Sequence, residues 1–189
     1  MNITLSHTRI TEQTQDLSGV LAKAKKKDRL AQAHLYKQFH GKFLGLCLRY
    51  FENRDDALEA LNHGFLKIFN NLKNCDTKQS FEGWAYRIIK NTAIDYARKA
   101  LKKSDFISIS EQEIEASIHP DYTENVMPDE WIQLLQHLPA ATRMVFNLVA
   151  LEHYKHSEIA KLLDISEGTS KWHLNQARKI LKQKLEEKI

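Results

Sequence analysis

The sequence predicts an all-α protein built as two small helical domains joined by an acidic flexible linker. Apolar residues recur at helical spacing over most of the chain, and only six Gly and three Pro interrupt 189 residues. Charge is also partitioned in blocks. Residues 1–103 carry 19 Lys and Arg against 10 Asp and Glu, residues 104–130 carry eight acids and no base, and residues 131–189 carry nine bases and six acids. The net charge of +4 therefore averages two basic blocks and the acidic strap between them. Basic blocks suit a nucleic-acid partner, because each phosphate contact releases counterions. The strap is repelled by nucleic acid and is expected on a basic surface elsewhere.

Each element has its own signal. Residues 1–16 are polar and unpatterned, and are expected to be flexible. Leu17, Val20, Leu21 and Ala24 make the stripe of a first helix. Leu30, Ala33, Leu35, Tyr36 and Phe39 begin a second, which Phe43, Leu44, Cys47, Leu48 and Phe51 continue. A third follows the turn at Glu52-Asn53-Arg54, with Asp55 as expected N-cap and Ala57, Leu58, Leu61, Phe65, Ile68, Phe69 and Leu72 as its core. After a polar loop at 74–80, a fourth helix has Phe81, Trp84, Ile88, Ile89, Ala93 and Ile94 on its stripe and runs to about Lys103. Residues 104–127 lose periodicity and read as the linker. Beyond Pro128, Trp131, Leu134, Leu135 and Leu138 form a stripe up to Pro139, and Met144, Val145, Leu148 and Leu151 form the next.

The C-terminal stretch reads as a helix-turn-helix. Ile159, Leu162 and Leu163 line one helix, Ile165 sits in the turn, and Leu174, Ala177 and Leu181 are the buried stripe of a second, with Ser166 as its N-cap. The other face presents Lys171, Trp172, Asn175, Gln176 and Lys179, residue types that hold phosphates or read base edges in a major groove. The Trp84–Lys103 segment has Arg87, Lys90, Arg98, Lys99, Lys102 and Lys103 against the single acid Asp95, interleaved with Trp84, Tyr86 and Tyr96. Cations that follow phosphates and aromatic faces that hold unstacked bases are the chemistry of single-strand binding. Trp84 reads equally as a packed core ring.

Several classes are excluded on the same residues. No nucleophile–base pairing, Gly-rich phosphate loop or metal-ligand set is present, so neither enzymatic activity nor a cofactor or metal is expected. Glu59 with His63 is four apart and lacks the paired Glu-x-x-His of a di-iron bundle. Cys47 and Cys75 read as reduced thiols. No apolar run reaches a membrane span, and the first residues lack a signal peptide's apolar core; a cytoplasmic protein without membrane insertion is expected.

Two blocks together resemble bacterial sigma factors of the extracytoplasmic-function group. In the first, Leu35-Tyr36, Arg49-Tyr50, Asp56-Ala57-Leu58-Glu59-Ala60-Leu61-Asn62-His63-Gly64-Phe65-Leu66-Lys67-Ile68-Phe69 and the run from Phe81-Glu82-Gly83-Trp84 to Ala97-Arg98-Lys99 resemble region 2. In the second, Leu138-Pro139 through Leu181, with Glu158-Ile159-Ala160 and Glu167-Gly168-Thr169, resembles region 4. The resemblance implies a region 2 domain over 17–103, a linker over 104–127 and a region 4 domain over 128–189. It implies a subunit that gives core RNA polymerase its promoter specificity. Region 2 would dock on the polymerase clamp through Asp56, Glu59, Asn62, Phe65 and Lys67. It would melt and capture the −10 element through Trp84, Arg87, Lys90, Asn91, Arg98 and Lys99. Region 4 would bind the polymerase flap and read the −35 duplex through Ser166, Thr169, Lys171, Trp172, Asn175, Gln176 and Lys179. Promoter DNA and core polymerase are the implied partners, and an anti-sigma factor is a candidate third.

The chain departs from the family pattern at Leu58, Glu59 and His63, and at Trp172, where the family usually has a small polar residue. It also has His153-Tyr154-Lys155 where the family favours Gly-Tyr-Ser, which forfeits a Ser N-cap worth about 1 kcal/mol. The rival reading is a stand-alone helix-turn-helix regulator whose first 103 residues form a sensor or dimerisation domain.

Overall fold

In a computed structural model, residues 17–75, 80–103 and 129–187 are described, and every regular element among them is helical. The N-terminal domain contains α1 (Leu17–Lys25), α2 (Arg29–Leu48), α3 (Arg54–Asn71), a short 3₁₀ turn at Leu72–Asn74, and α4 (Phe81–Lys103). The C-terminal domain contains α5 (Asp129–Gln136), α6 (Ala140–Phe146) running into a π-helical turn at Asn147–Leu151, α7 (His156–Leu163) and α8 (Glu167–Glu186). The expected flexible segment 1–16 and acidic linker 104–127 lie outside the described residues. Among the described residues no helix is long and apolar enough to cross a membrane.

Local chemistry sets the helix starts. Asp28 caps α2, its carboxylate accepting from the Ala31 N–H at 2.9 Å. Asn53 caps α3, accepting from the Asp56 N–H at 2.8 Å, so the cap lies two residues before the expected Asp55. Asp55 and Asp56 then lie in the first turn, where the helix dipole favours them. At α7 half of a capping box survives without the Ser: the Glu158 carboxylate accepts from the Lys155 N–H at 2.8 Å. The Lys155 side chain, which has no acceptor, cannot return the bond.

The core of the N-terminal domain is built from Leu35, Phe39, Phe43, Leu61, Phe65, Ile68, Ile89 and Ala93, all buried. Each large apolar side chain so buried contributes about 1.5–3 kcal/mol. Aromatic pairs tighten it: Phe65 packs against Tyr36, Phe43 and Phe69 with ring centres 4.6, 5.9 and 5.8 Å away. Three expected core residues, Leu30, Ala33 and Trp131, turn outward. Leu30 is 84% exposed because Ala31, Leu35 and Phe39, four apart, take the buried stripe of α2 and leave Leu30 and Ala33 in solvent. Trp131 is 42% exposed, and Ile132 takes the buried place on α5 beside Leu134 and Leu135. A small cluster of Leu134, Leu135, Leu138, Ala177 and Leu181 fastens α5 to α8.

Gly64 decides how closely α3 and α4 approach. A Cβ there would stand 2.5 Å from Ile89 Cδ1 and 3.5 Å from Ile89 Cα. Gly64→Ala should therefore destabilise the fold by about 1–3 kcal/mol through overpacking. Ile89→Val, which removes the offending methyl, should recover part of that loss when combined with it. Urea denaturation of the two single variants and the double variant checks this; additive losses would show that the contact is not the cause.

Candidate nucleic-acid interface

The helix-turn-helix forms as its sequence demands. Asp164 ends α7 in a left-handed conformation with φ 61°, and Ile165 bridges to the Ser166 cap, whose hydroxyl accepts from the Thr169 N–H at 2.9 Å. Ser170, Leu174, Ala177 and Leu181 are the buried stripe of α8. Lys171, Trp172, Asn175 and Lys179 are exposed, and Gln176 is half-buried at the edge of the same face. Arg178 belongs to this face as well, exposed and three residues from Asn175. The sequence reading missed it, although its spacing was the available signal. The Trp172 ring stands edge-on to His173 at 4.9 Å.

Behind the face, two histidines pin the motif. His156 Nδ1 is 2.8 Å from the Ser170 hydroxyl, joining the starts of α7 and α8, and His173 Nδ1 is 3.0 Å from the Thr142 hydroxyl of α6. Burial pushes the His173 imidazole below its usual value.

The second basic face lies on α4, and the helix divides its duties by angle. Phe81, Ala85, Ile89 and Ala93 point into the core. Trp84, Arg87, Asn91 and Arg98 recur at three- to seven-residue intervals, and so share one outward stripe. Trp84 is half-buried, its ring 6.1 Å from that of Phe81, which makes it both a packed residue and a wall of the surface. Together with Lys67, Asn71, Asn74, Ile88, Asn91 and Thr92 it lines an open groove of about 390 Å³ between α3 and α4. Arg98 Nη2 is 3.3 Å from Asp95 Oδ1, and Lys99 Nζ is 6.0 Å from the centre of the Tyr96 ring. Lys90 points elsewhere, toward the C-terminal domain, where its Nζ is 3.4 Å from Glu152 Oε2.

The residues expected to dock on polymerase separate. Asp56, Glu59 and Asn62 are exposed on α3, with Asn62 accepting from the Tyr36 hydroxyl at 2.9 Å. Phe65 is 2% exposed and cannot be a surface contact, because its side chain is spent on the aromatic core. Lys67 stands in the α3–α4 groove beside Trp84 and Asn91 rather than with the acidic residues. Leu66, 55% exposed on the outer side of α3, is the apolar residue that this surface does present. Cys47 and Cys75 are both buried, and burial pushes the Cys47 thiol up to about 12, so it is not a reactive group at neutral pH.

The two faces coincide with two family models in the same order along the chain. Sigma-70 region 2 matches residues 35–102, and Sigma-70, region 4 matches residues 129–181. The chain belongs to the sigma-70 family, in its extracytoplasmic-function group. Among similar proteins, the ECF RNA polymerase sigma factor SigW of Bacillus subtilis is 26% identical, over 87% of this chain and 94% of its own length. The ECF RNA polymerase sigma-E factor of Haemophilus influenzae is 23% identical over 94% and 98%. Among solved structures, the sigma factor RpoE in complex with the anti-sigma factor NepR from Bartonella quintana is 17% identical, covers 91% of this chain and 95% of its own, and has a TM-score of 0.42.

The histidine environment has a measurable consequence for this sigma factor. A depressed imidazole pKa means that the unfolded chain takes up the proton first, so stability is full above about 6.5 and falls as the pH drops below it. His40, also lowered, by burial and then by Arg54, adds in the same direction from the N-terminal domain. His173→Gln should flatten the acid side of the stability curve between pH 7 and 5, leaving the His40 share. A curve of unchanged slope would contradict the burial argument.

Proposed function

We propose that this sigma factor divides promoter recognition between the exposed face of α8 and the outward stripe of α4. It is a transcription initiation factor that binds core RNA polymerase and directs it to promoters. The observation that carries this reading is the ordered match of both regions. The region 2 match occupies the stretch that a stand-alone regulator would need for a sensor or dimerisation domain, and that alternative is set aside. The region 2 work belongs to residues 17–103, the region 4 work to 128–189, and the acidic strap 104–127 tethers them.

In this reading Lys171, Trp172, Asn175 and Gln176 address base edges of the −35 duplex, while Lys179 and the newly placed Arg178 hold phosphates. Ser166 and Thr169 bring the free N–H groups of the α8 start to the backbone. On α4, Arg87, Arg98 and Lys99 follow the phosphates of the melted −10 strand. The groove walled by Trp84, Asn91 and Lys67 takes an unstacked base, its rim amides offering hydrogen bonds to a base edge. Lys67 thus moves from the polymerase surface to the DNA groove. Leu66 joins Asp56, Glu59 and Asn62 as the clamp-facing surface, an apolar centre with a polar rim.

The experiment is reconstituted transcription with bacterial core polymerase, on a promoter mapped from start sites after overexpression. The wild-type chain should start transcription where core enzyme alone does not; no initiation at any mapped promoter would refute the reading. Gln176→Ala should relax preference at one −35 position by about 1–3 kcal/mol. Lys179→Ala should weaken all sequences alike and lower the salt slope by about 1. Trp84→Ala should cost about 1–3 kcal/mol in single-strand binding and suppress permanganate reactivity of the melted thymines, with −35 duplex affinity unchanged. Loss of −35 affinity in that variant would reverse the assignment of the two faces.

A further inference from the structure

The two domains meet along a seam that is part apolar and part ionic. Met144, Val145 and Leu148 of the C-terminal domain join the buried cluster of α2–α4. Beside that patch Glu152 reaches across. Its Oε1 is 3.2 Å from Arg49 Nη2 and accepts from the Tyr86 hydroxyl at 3.0 Å, and its Oε2 is 3.4 Å from Lys90 Nζ. The Glu152 side chain is only 5% exposed, and those of Arg49 and Lys90 are 11% and 18% exposed. Arg49 Nη2 also lies 3.2 Å from the Tyr86 hydroxyl, and Lys90 Nζ lies 5.7 Å from the centre of the Tyr154 ring. Two cations and a phenol, from the C-cap of α2 and from α4, converge on one carboxylate, a donor set that suits any oxyanion.

Two features mark this contact as one that opens. Arg49 Nε, the Tyr50 hydroxyl, Asn147 Oδ1, and Arg143 Nε and Nη1 are buried in the seam region without a hydrogen-bond partner, unlike the satisfied polar groups of a permanent interior. The backbone that delivers Glu152 is also distorted. The helix unwinds into the π turn at Asn147–Leu151, and His153 follows in a left-handed conformation with φ 58°.

We propose that Arg49, Tyr86 and Lys90 form an anion site on the N-terminal domain, filled in cis by Glu152 so that the free chain is closed, and taken by a backbone phosphate of single-stranded DNA when the domains part. The proposal rests on the reading that α4 carries the melted strand. That reading also names the occupant, since Lys90 shares its helix with Arg87, Asn91, Arg98 and Lys99, and a phosphate at the site would belong to the strand they follow. While Glu152 holds Lys90, the site is closed to DNA.

The test uses the full chain without polymerase, with donor and acceptor dyes at exposed positions 37 and 182. Glu152→Lys, which sets a third cation against Arg49 and Lys90, should lower energy transfer between the domains. Glu152→Gln should raise affinity for a fluorescein-labelled single-stranded oligonucleotide several-fold, and adding Arg49→Ala should cancel that gain. Tyr86→Phe, which removes only the hydroxyl, repeats the last step should Arg49→Ala impair folding. Unchanged energy transfer in Glu152→Lys would overturn the closed state. A gain in Glu152→Gln that survived both Arg49→Ala and Tyr86→Phe, or no gain, would overturn the anion site. Failure of the promoter-reading proposal is separable, because it would appear in reconstituted transcription while energy transfer still responded to Glu152.

Discussion

The close approach of α3 and α4 at Gly64 is the constraint on which the rest of the structure depends. With no side chain at Gly64, Ile89 seats against the α3 backbone, and Ala85 and Ala93 complete a narrow buried edge on α4. Small residues on that edge leave the rest of a 23-residue helix free for other work. One outward stripe carries Trp84, Arg87, Asn91 and Arg98, and another side carries Tyr86 and Lys90 toward the C-terminal domain. Rotation of α4 by one residue, about 100°, would bury cations and expose the core edge, so the packed edge and the exposed basic stripe are set by a single rotational register.

Much of this was legible in the sequence because it is local. Helix existence follows from apolar spacing, and the helix-turn-helix, its Ser166 cap and the buried stripe Leu174, Ala177 and Leu181 are all settled within a few residues of one another. Where several apolar residues compete for one stripe, spacing alone does not choose. On α2 the row Ala31, Leu35 and Phe39 wins over Leu30 and Ala33, and on α5 Ile132 wins over Trp131. Phe65 illustrates the same limit in function: a motif places it near a docking surface, but the aromatic neighbours that bury it come from α2 as well as α3.

The pairing across the interdomain seam was not legible in the sequence. Glu152 lies 103 residues from Arg49 and 66 from Tyr86, and no local pattern announces such a pairing. The π turn and the left-handed His153 are likewise consequences of tertiary demands. One hint did exist, in the departure from Gly-Tyr-Ser: the position at which the family favours glycine is the one that here adopts a positive φ, a conformation that glycine takes without strain and that histidine adopts only at a cost. Electrostatics then links the seam to the proposed DNA faces, because cations suited to bind nucleic acid are also readily satisfied by a carboxylate of the same chain.

In the proposed division of labour α4 meets separated strands and α8 meets duplex. Photo-crosslinking within the initiating complex tests it most directly, with a photoreactive side chain placed in turn at position 87 on α4 and position 175 on α8. Position 87 should crosslink to the non-template strand of the −10 element only after melting, and position 175 should crosslink to the −35 duplex before and after it. Crosslinks from position 87 to closed duplex, or from position 175 to the melted strand, would contradict that division.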